Sequence, residues 1–320
     1  MTQEDRAVAA DDLAGLSVED AAAAAVAQDS SRDRDEARAV LETVADDEGV
    51  VTREAVDDAL GHVSKVVATP ETRVELAARD LESARETASH VTDLDSVQAK
   101  LDAFEARLSA AEDHTEALGP DLQAVVERQG DSGDIYDIAA DIRRITTGAN
   151  EAQKAADDLK LDVEDFEKWV GSQSVRFRQL DEEVEVAGER LDELADALDR
   201  EWTDDDARDW VDVRFQHRVM GLMLADLRQT FADLKRWADR EDLDPDDRTD
   251  SVATGLADAA DRHADLGVRL EELARPEWRE RFADPLHSFE DAVDDFEAPI
   301  PWGEVEATLA DHRERVAELA

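Results

Sequence analysis

The stretch "VEDFEKWVGSQSVRFRQL" (163–180) decides the fold. By composition its middle, GSQS (171–174), is a loop: one glycine and two serines, which favour turns and weaken helices. Its phase says otherwise. Apolar residues reach it from Ile135, Ile138, Ile142, Ile145, Ala149, Ala152, Ala156, Leu159, Val163, Phe166 and Val170. They leave it through Phe177, Leu180, Val184, Ala187, Leu191, Leu194 and Leu198. The steps alternate between three and four, and Gln173 carries the count across without a skip. Such a seam marks a helix buried along one stripe. It predicts one helix of about 67 residues over 134–200, near 100 Å at 1.5 Å per residue.

Upstream, the same spacing runs through Leu94, Val97, Leu101, Phe104, Leu108, Ala111, Thr115, Leu118, Leu122 and Val125. In "TPETRVELA" (69–77), Thr69 is a candidate N-cap, with Pro70 at the first helical position and Glu71 behind it. This predicts a first arm over 70–128, about 88 Å long, kinked at Gly119-Pro120 because proline removes a helical hydrogen bond. Between the arms, "RQGDSGD" (128–134) holds two glycines and three short polar residues, the clearest reversal signal in the chain. The expected fold class is all-α: a long antiparallel coiled-coil hairpin with a small N-terminal helical region and a C-terminal helical bundle. The expected domains are 1–68, 69–200 with the turn near 128–134, and 201–320.

The N-terminal region reads as three or four short helices. Ser17 is a candidate N-cap with Asp20 three residues on, Gly49 breaks the pattern, and Thr52 caps the helix beginning "REAVDDAL". The outline is that of a helix–turn–helix, but Arg53 is followed by Glu54, Asp57 and Asp58, the wrong sign for phosphate contact. A helical hairpin is the better reading. After residue 200 aromatics concentrate, among them Trp202, Trp210, Phe215, Phe231, Trp237, Trp278, Phe282, Phe289, Phe296 and Trp302. "WVDVRFQHRVMGLMLADL" (210–227) adds Val211, Phe215, Val219, Leu222 and Met223 off its seam. A helix apolar on more than one face must be covered on more than one face, which predicts the central helix of a bundle. "EDLDPDDRTD" (241–250) ends it, a further seam runs from Val252 to Leu273, and Pro276, Pro285, Pro299 and Pro301 should cut the remainder into shorter helices.

Acidic residues number 84 against 36 basic ones, for a net charge of −48. Aspartate outnumbers glutamate 50 to 34, and all the basic residues are arginine except Lys65, Lys100, Lys154, Lys160, Lys168 and Lys235. At ~0.1 M salt such a surface repels itself over about 10 Å, a range that shrinks to about 3 Å in molar salt. The balance resembles that of cytosolic proteins of salt-accumulating haloarchaea. It also excludes the basic footprint that nucleic acid requires. There is no cysteine, hence no disulfide or thiolate site. "MTQEDRAVAADDL" lacks the features of a signal peptide, and Ala21–Ala27 is too short to span a bilayer. The expectation is a soluble cytoplasmic chain with no membrane insertion.

Chemical motifs are few. His217, His263 and His312 fall on seams, but no histidine sits three residues after a glutamate as a di-iron bundle requires, and no H-E-x-x-H is present. Core or edge packing is the reading for all three. "GDSG" (130–133) echoes a serine-protease nucleophile segment, yet it joins two helical patterns and reads as a turn. "DLDPDD" (242–247) begins like a calcium loop, but its sixth and twelfth positions are Asp247 and Ala253 where glycine and glutamate are needed. No catalytic, cofactor-binding or metal-binding residue is nominated, and no cofactor is expected.

"VVATPETRVELA" (66–77), "LDAFEARL" (101–108) and "DIYDIAADIRR" (134–144) carry a resemblance, over most of the chain, to soluble haloarchaeal proteins labelled halobacterial transducer proteins. The resemblance implies kinship with coiled-coil signalling domains and assigns no individual residue. The functional expectation is a non-enzymatic protein that binds protein partners through the arm or its tip, in signal transduction, with self-association compatible. One alternative is a ligand-binding or enzymatic module in the C-terminal bundle, where Trp210, His217 and Trp237 would line a pocket. Another is a chromosome-associated structural coiled coil.

Overall fold

A computed structural model describes residues 13–130 and 134–319. Among these, the regular elements are all helical, and the only β pairings are the isolated bridges Ser17–Val50 and Ala45–Val51. The α-helices are α1 (Val18–Gln28), α2 (Arg34–Leu41), α3 (Arg53–Ala88), α4 (Asp95–Gly130), α5 (Ile135–Gly171), α6 (Gln173–Asp199), α7 (Ala207–Arg240), α8 (Thr249–Leu273), α9 (Pro276–Asp294) and α10 (Trp302–Glu318). The all-α expectation holds. The chain divides into two compact units, one of 13–86 with 102–165 and one of 87–101 with 166–319. The boundary expected at 68/69 falls inside the first unit, and that at 200/201 inside the second.

In the first unit, ion pairs give the helix directions. Arg85 meets Glu105 at 2.7 Å and Gln129 meets Asp57, so α3 and α4 run antiparallel. Arg144 meets Asp121 at 2.6 Å and Arg107 meets Asp162 at 2.7 Å, so α4 and α5 are antiparallel too. Arg73–Asp157 at 3.3 Å and Lys160–Asp80 at 3.2 Å make α3 and α5 parallel. The three helices form an up–down–up bundle, and Val74, Ala111 and Ala156, one from each, make a common buried layer. The N-terminal segment shares the larger core of this unit, where Leu13, Leu41 and Val51 meet Val63, Leu118 and Ile142. Ser17 and Thr52 both cap as expected, accepting from Asp20 N at 3.2 Å and Ala55 N at 3.0 Å.

The second unit repeats the scheme. Ser251–Asp181, Arg262–Asp192 and Arg269–Asp199 each join residues 70 apart, so α6 and α8 are parallel and in constant register. Between them α7 runs the other way, as Phe177–Phe231 and Trp210 Nε1 to the Leu270 carbonyl show. Trp210, Val211, Val213, Phe215, Met220, Leu222, Leu224 and Leu227 are all buried. With α6, α8, α9 and α10 against it, α7 is the central helix that its apolar faces require.

Three expectations are corrected. The first arm is not one helix starting at Thr69. Instead, α3 passes straight through Pro70, with Thr69 Oγ1 turned back to the Lys65 carbonyl at 3.4 Å, and the chain reverses at 89–94. Burial of Val63, Val67, Val74 and Ala77 on both sides of Pro70 offsets its one missing hydrogen bond. The second arm is broken at Ser172, whose φ of −146° and ψ of 116° leave the helix while its Oγ caps the Val175 amide at 3.4 Å. Pro285 does not cut the chain, because it lies inside α9. Pro120 likewise lies inside α4. Of the turn expected at 128–134, residues 131–133, three of the four in GDSG, lie outside the described residues.

Candidate functional site

Near its C-terminal end α7 presents Asp233, Arg236, Trp237 and Arg240, a spacing that puts all four on one side of the helix. Onto this side docks the reversal that follows α3. Asp233, with no exposed surface, accepts from the Ser96 amide at 2.8 Å, from Gln229 Nε2 at 3.2 Å and from Arg236. The first turn of α4 has amides without helical partners, and a carboxylate from another helix supplies one of them with both an acceptor and a favourable charge. Arg240 grips both oxygens of Asp93 at 2.7 and 2.5 Å. That forked bond holds the Asp93 carboxyl below the usual range, and the pairing raises Arg240.

On the other side of Trp237 lies the break at Ser172. Trp237 meets Trp169 edge-on at 5.6 Å and His90 at 6.1 Å, and its Nε1 donates to Glu241 at 2.8 Å. The Arg176 guanidinium, 2% exposed, lies 3.8 Å over the Trp237 ring. Its Nη1 donates to the Val170 carbonyl at 2.8 Å, which α5 leaves open where it ends, and to the Trp169 carbonyl at 3.4 Å, which also accepts from the Ser172 amide at 3.5 Å. Burial pushes the Arg176 pKa down and Glu241, 4.0 Å away, pulls it back up in part.

Further along α7, the histidines of the two seams meet. His217 on α7 and His263 on α8 stack with ring centroids 3.9 Å apart and planes within 6°. Each Nε2 donates to the other's backbone carbonyl, His217 at 2.9 Å and His263 at 2.8 Å. The space comes from Gly221 and Gly267, each four residues after a histidine. A Cβ there would stand 3.3 Å from His263 and 3.2 Å from His217. Burial pushes the His217 pKa below its ordinary value, the bond to the His263 carbonyl opposes this, and His263, Arg214 and Arg218 add like charge.

The packing expected for His217 and His263 is present, as it is for buried His312, which donates Nδ1–H to the Thr308 carbonyl at 2.7 Å and faces Phe289 edge-on. Trp210, His217 and Trp237 do not share a site. Trp210 and Trp237 stand about 40 Å apart along α7 by helical rise, and each is fully buried with its own indole hydrogen bond. Among the described residues no group of three or more His, Cys, Asp or Glu is disposed to hold a metal ion, and no helix is long and apolar enough to cross a membrane. Arg176 and Asp233 carry no sequence signal, since an apolar pattern does not say which charged residue lies beneath it. The histidine pair had one: "HRVMG" (217–221) and "HADLG" (263–267) share the spacing H-x-x-x-G.

In the first unit a groove of about 700 Å³ runs between the 43–52 segment, α3 and α5. Ala45, Ala55 and Ala59 line it over the buried Val63 and Ile142, and Asp46, Asp47, Glu54, Asp58 and Arg143 supply its charges. No family model matches the chain, and neither does any curated protein or solved structure.

Proposed function

We propose that the chain is a non-catalytic binding protein of a salt-filled archaeal cytoplasm, engaging a protein partner through the seam-bearing helices of its first unit, in a signalling role of the kind its transducer-like segments suggest. The groove between the 43–52 segment, α3 and α5 carries this reading. Its size and mixed lining suit a helical or extended segment laid against Ala55 and Ala59, beside the charged residues that share the lining. In molar salt the charges contribute little over distance, because screening confines them to about 3 Å. Affinity then rests on apolar contact and short hydrogen bonds, both of which the groove offers through its alanines and through Thr146 and Thr147.

A photo-crosslinking amino acid at Ala59, with a control at exposed Asp196 on α6, tests the reading in a haloarchaeal lysate held at molar KCl. Protein adducts specific to position 59 are the expected result. Identical adducts from both positions, or recovery of a metabolite or metal without protein, would overturn it.

A further inference from the structure

The stacked histidines do something ordinary core packing does not require. Two parallel imidazoles at 3.9 Å, each donating Nε2–H to the other's backbone, bind α7 to α8 at one level through a near-symmetric exchange. Gly221 and Gly267 keep both rings close to the facing backbone. We propose that this pair is a pH-sensitive latch on the second unit, stacked while both imidazoles are neutral and parted when His217 takes up a proton.

The charges around the pair set its sense. On α7, Arg214 and Arg218 flank His217. Arg214 is bonded to Glu271 on α8 and Glu290 on α9, and Arg218 to Asp294 on α9. On α8, Arg262 stands beside His263 and is bonded to Asp192 on α6. On the side of α10, Arg313 meets Asp212, more than a turn before His217 on α7. These five carboxylates are engaged by arginines, the exposed Asp261 and Asp265 lie two residues either side of His263 on α8, and the ring bonds themselves go to backbone carbonyls. A proton on the Nδ1 of His217 enters a half-buried place flanked by Arg214 and Arg218 and pressed against the face of a second ring. His217 already has its pKa pushed down by burial. The folded chain therefore binds fewer protons there than the unfolded one. The stabilisation is complete above the unfolded value of about 6.5 and is lost as the pH falls through and below it.

The test compares the full chain with the double variant His217→Gln/His263→Gln in molar KCl, following the thermal midpoint of the near-ultraviolet aromatic signal at pH 7.5 and 5.5. Glutamine keeps an N–H donor and does not titrate in this range, and the other five histidines are common to both proteins. The wild-type midpoint should fall more than the variant's between the two pH values, by about 3 °C or more. Equal falls would overturn the latch. Imidazole NMR of the wild type gives a second reading that survives a misfolded variant. Both rings should be Nε2-protonated tautomers at pH 7.5, losing the ring-current shift of stacking on acidification. Rings that titrate freely with their shifts unchanged would overturn it as well.

Discussion

Arg176 shows how one charged residue can end a helix. Where α5 stops, the carbonyls of Trp169 and Val170 need donors, and the guanidinium supplies them from the first turn of α6 while lying flat on Trp237. The ion pair with Glu241 is the weaker part, since 4.0 Å is too long for a direct hydrogen bond. Arg176→Met should therefore cost about 2–4 kcal/mol, because it leaves the Val170 carbonyl unpaired and removes the cation from the ring. Glu241→Gln, which keeps an oxygen for the Trp237 indole, should cost under about 1 kcal/mol. Denaturant unfolding of both variants in molar KCl checks the ranking, and equal losses would mean that the ion pair carries the site. Asp233 belongs to the same scale. Asp233→Ala strips the Ser96 amide, Gln229 and Arg236 of a shared acceptor, and an effect of about 2–4 kcal/mol on the same denaturant curve is expected.

At the scale of the element, heptad phase told which face of each helix is buried, and all of Ile135, Ile142, Leu159, Phe177, Leu191 and Leu198 are inside. It could not tell how many partners cover that face, because two-helix and three-helix packing bury the same stripe. Nor could it locate the break at Ser172, since one extended residue leaves the count intact. The reversal at 89–94 was legible in principle. "SHVTDLDS" (89–96) gathers the short polar residues that bond to nearby backbone, but Leu94 inside it reads as the start of the seam, and both it and Val91 are buried. Of the candidate site, single-residue positions such as His217 were visible in the sequence, whereas their pairing depends on which helices lie side by side. Spin labels at Glu75 and Asp113 separate the two architectures within the first unit. A continuous arm sets them about 57 Å apart, and the α3–α4 turn brings them within about 20 Å. Leu224→Ala tests the place of α7 in the second unit. Leu224 is 2% exposed, and loss of its side chain should lower stability by about 2–5 kcal/mol in a denaturant titration.

At the scale of the whole molecule, a charge of −48 opposes folding unless the solvent screens it. Many of the ion pairs described above are exposed and worth little singly, and the mid-bundle layer of Val74, Ala111 and Ala156 is made of small side chains. Helicity by circular dichroism should rise steeply from dilute buffer to molar KCl, and full helicity without salt would contradict this. The partition of the chain has its own effect on synthesis. The polypeptide passes from one unit to the other after residues 86, 101 and 165, so neither unit is a continuous run of sequence. Ser96 emerges from the ribosome 137 residues before the Asp233 that caps it. At about 5–20 residues per second this is a wait of roughly 7–30 s. Throughout it the start of α4 has no trans carboxylate, and Asp93 lacks its Arg240 partner. The last turns of α7 close two parts of the nascent chain at once, so a ribosome stalled before residue 233 would release a chain in which neither can be finished.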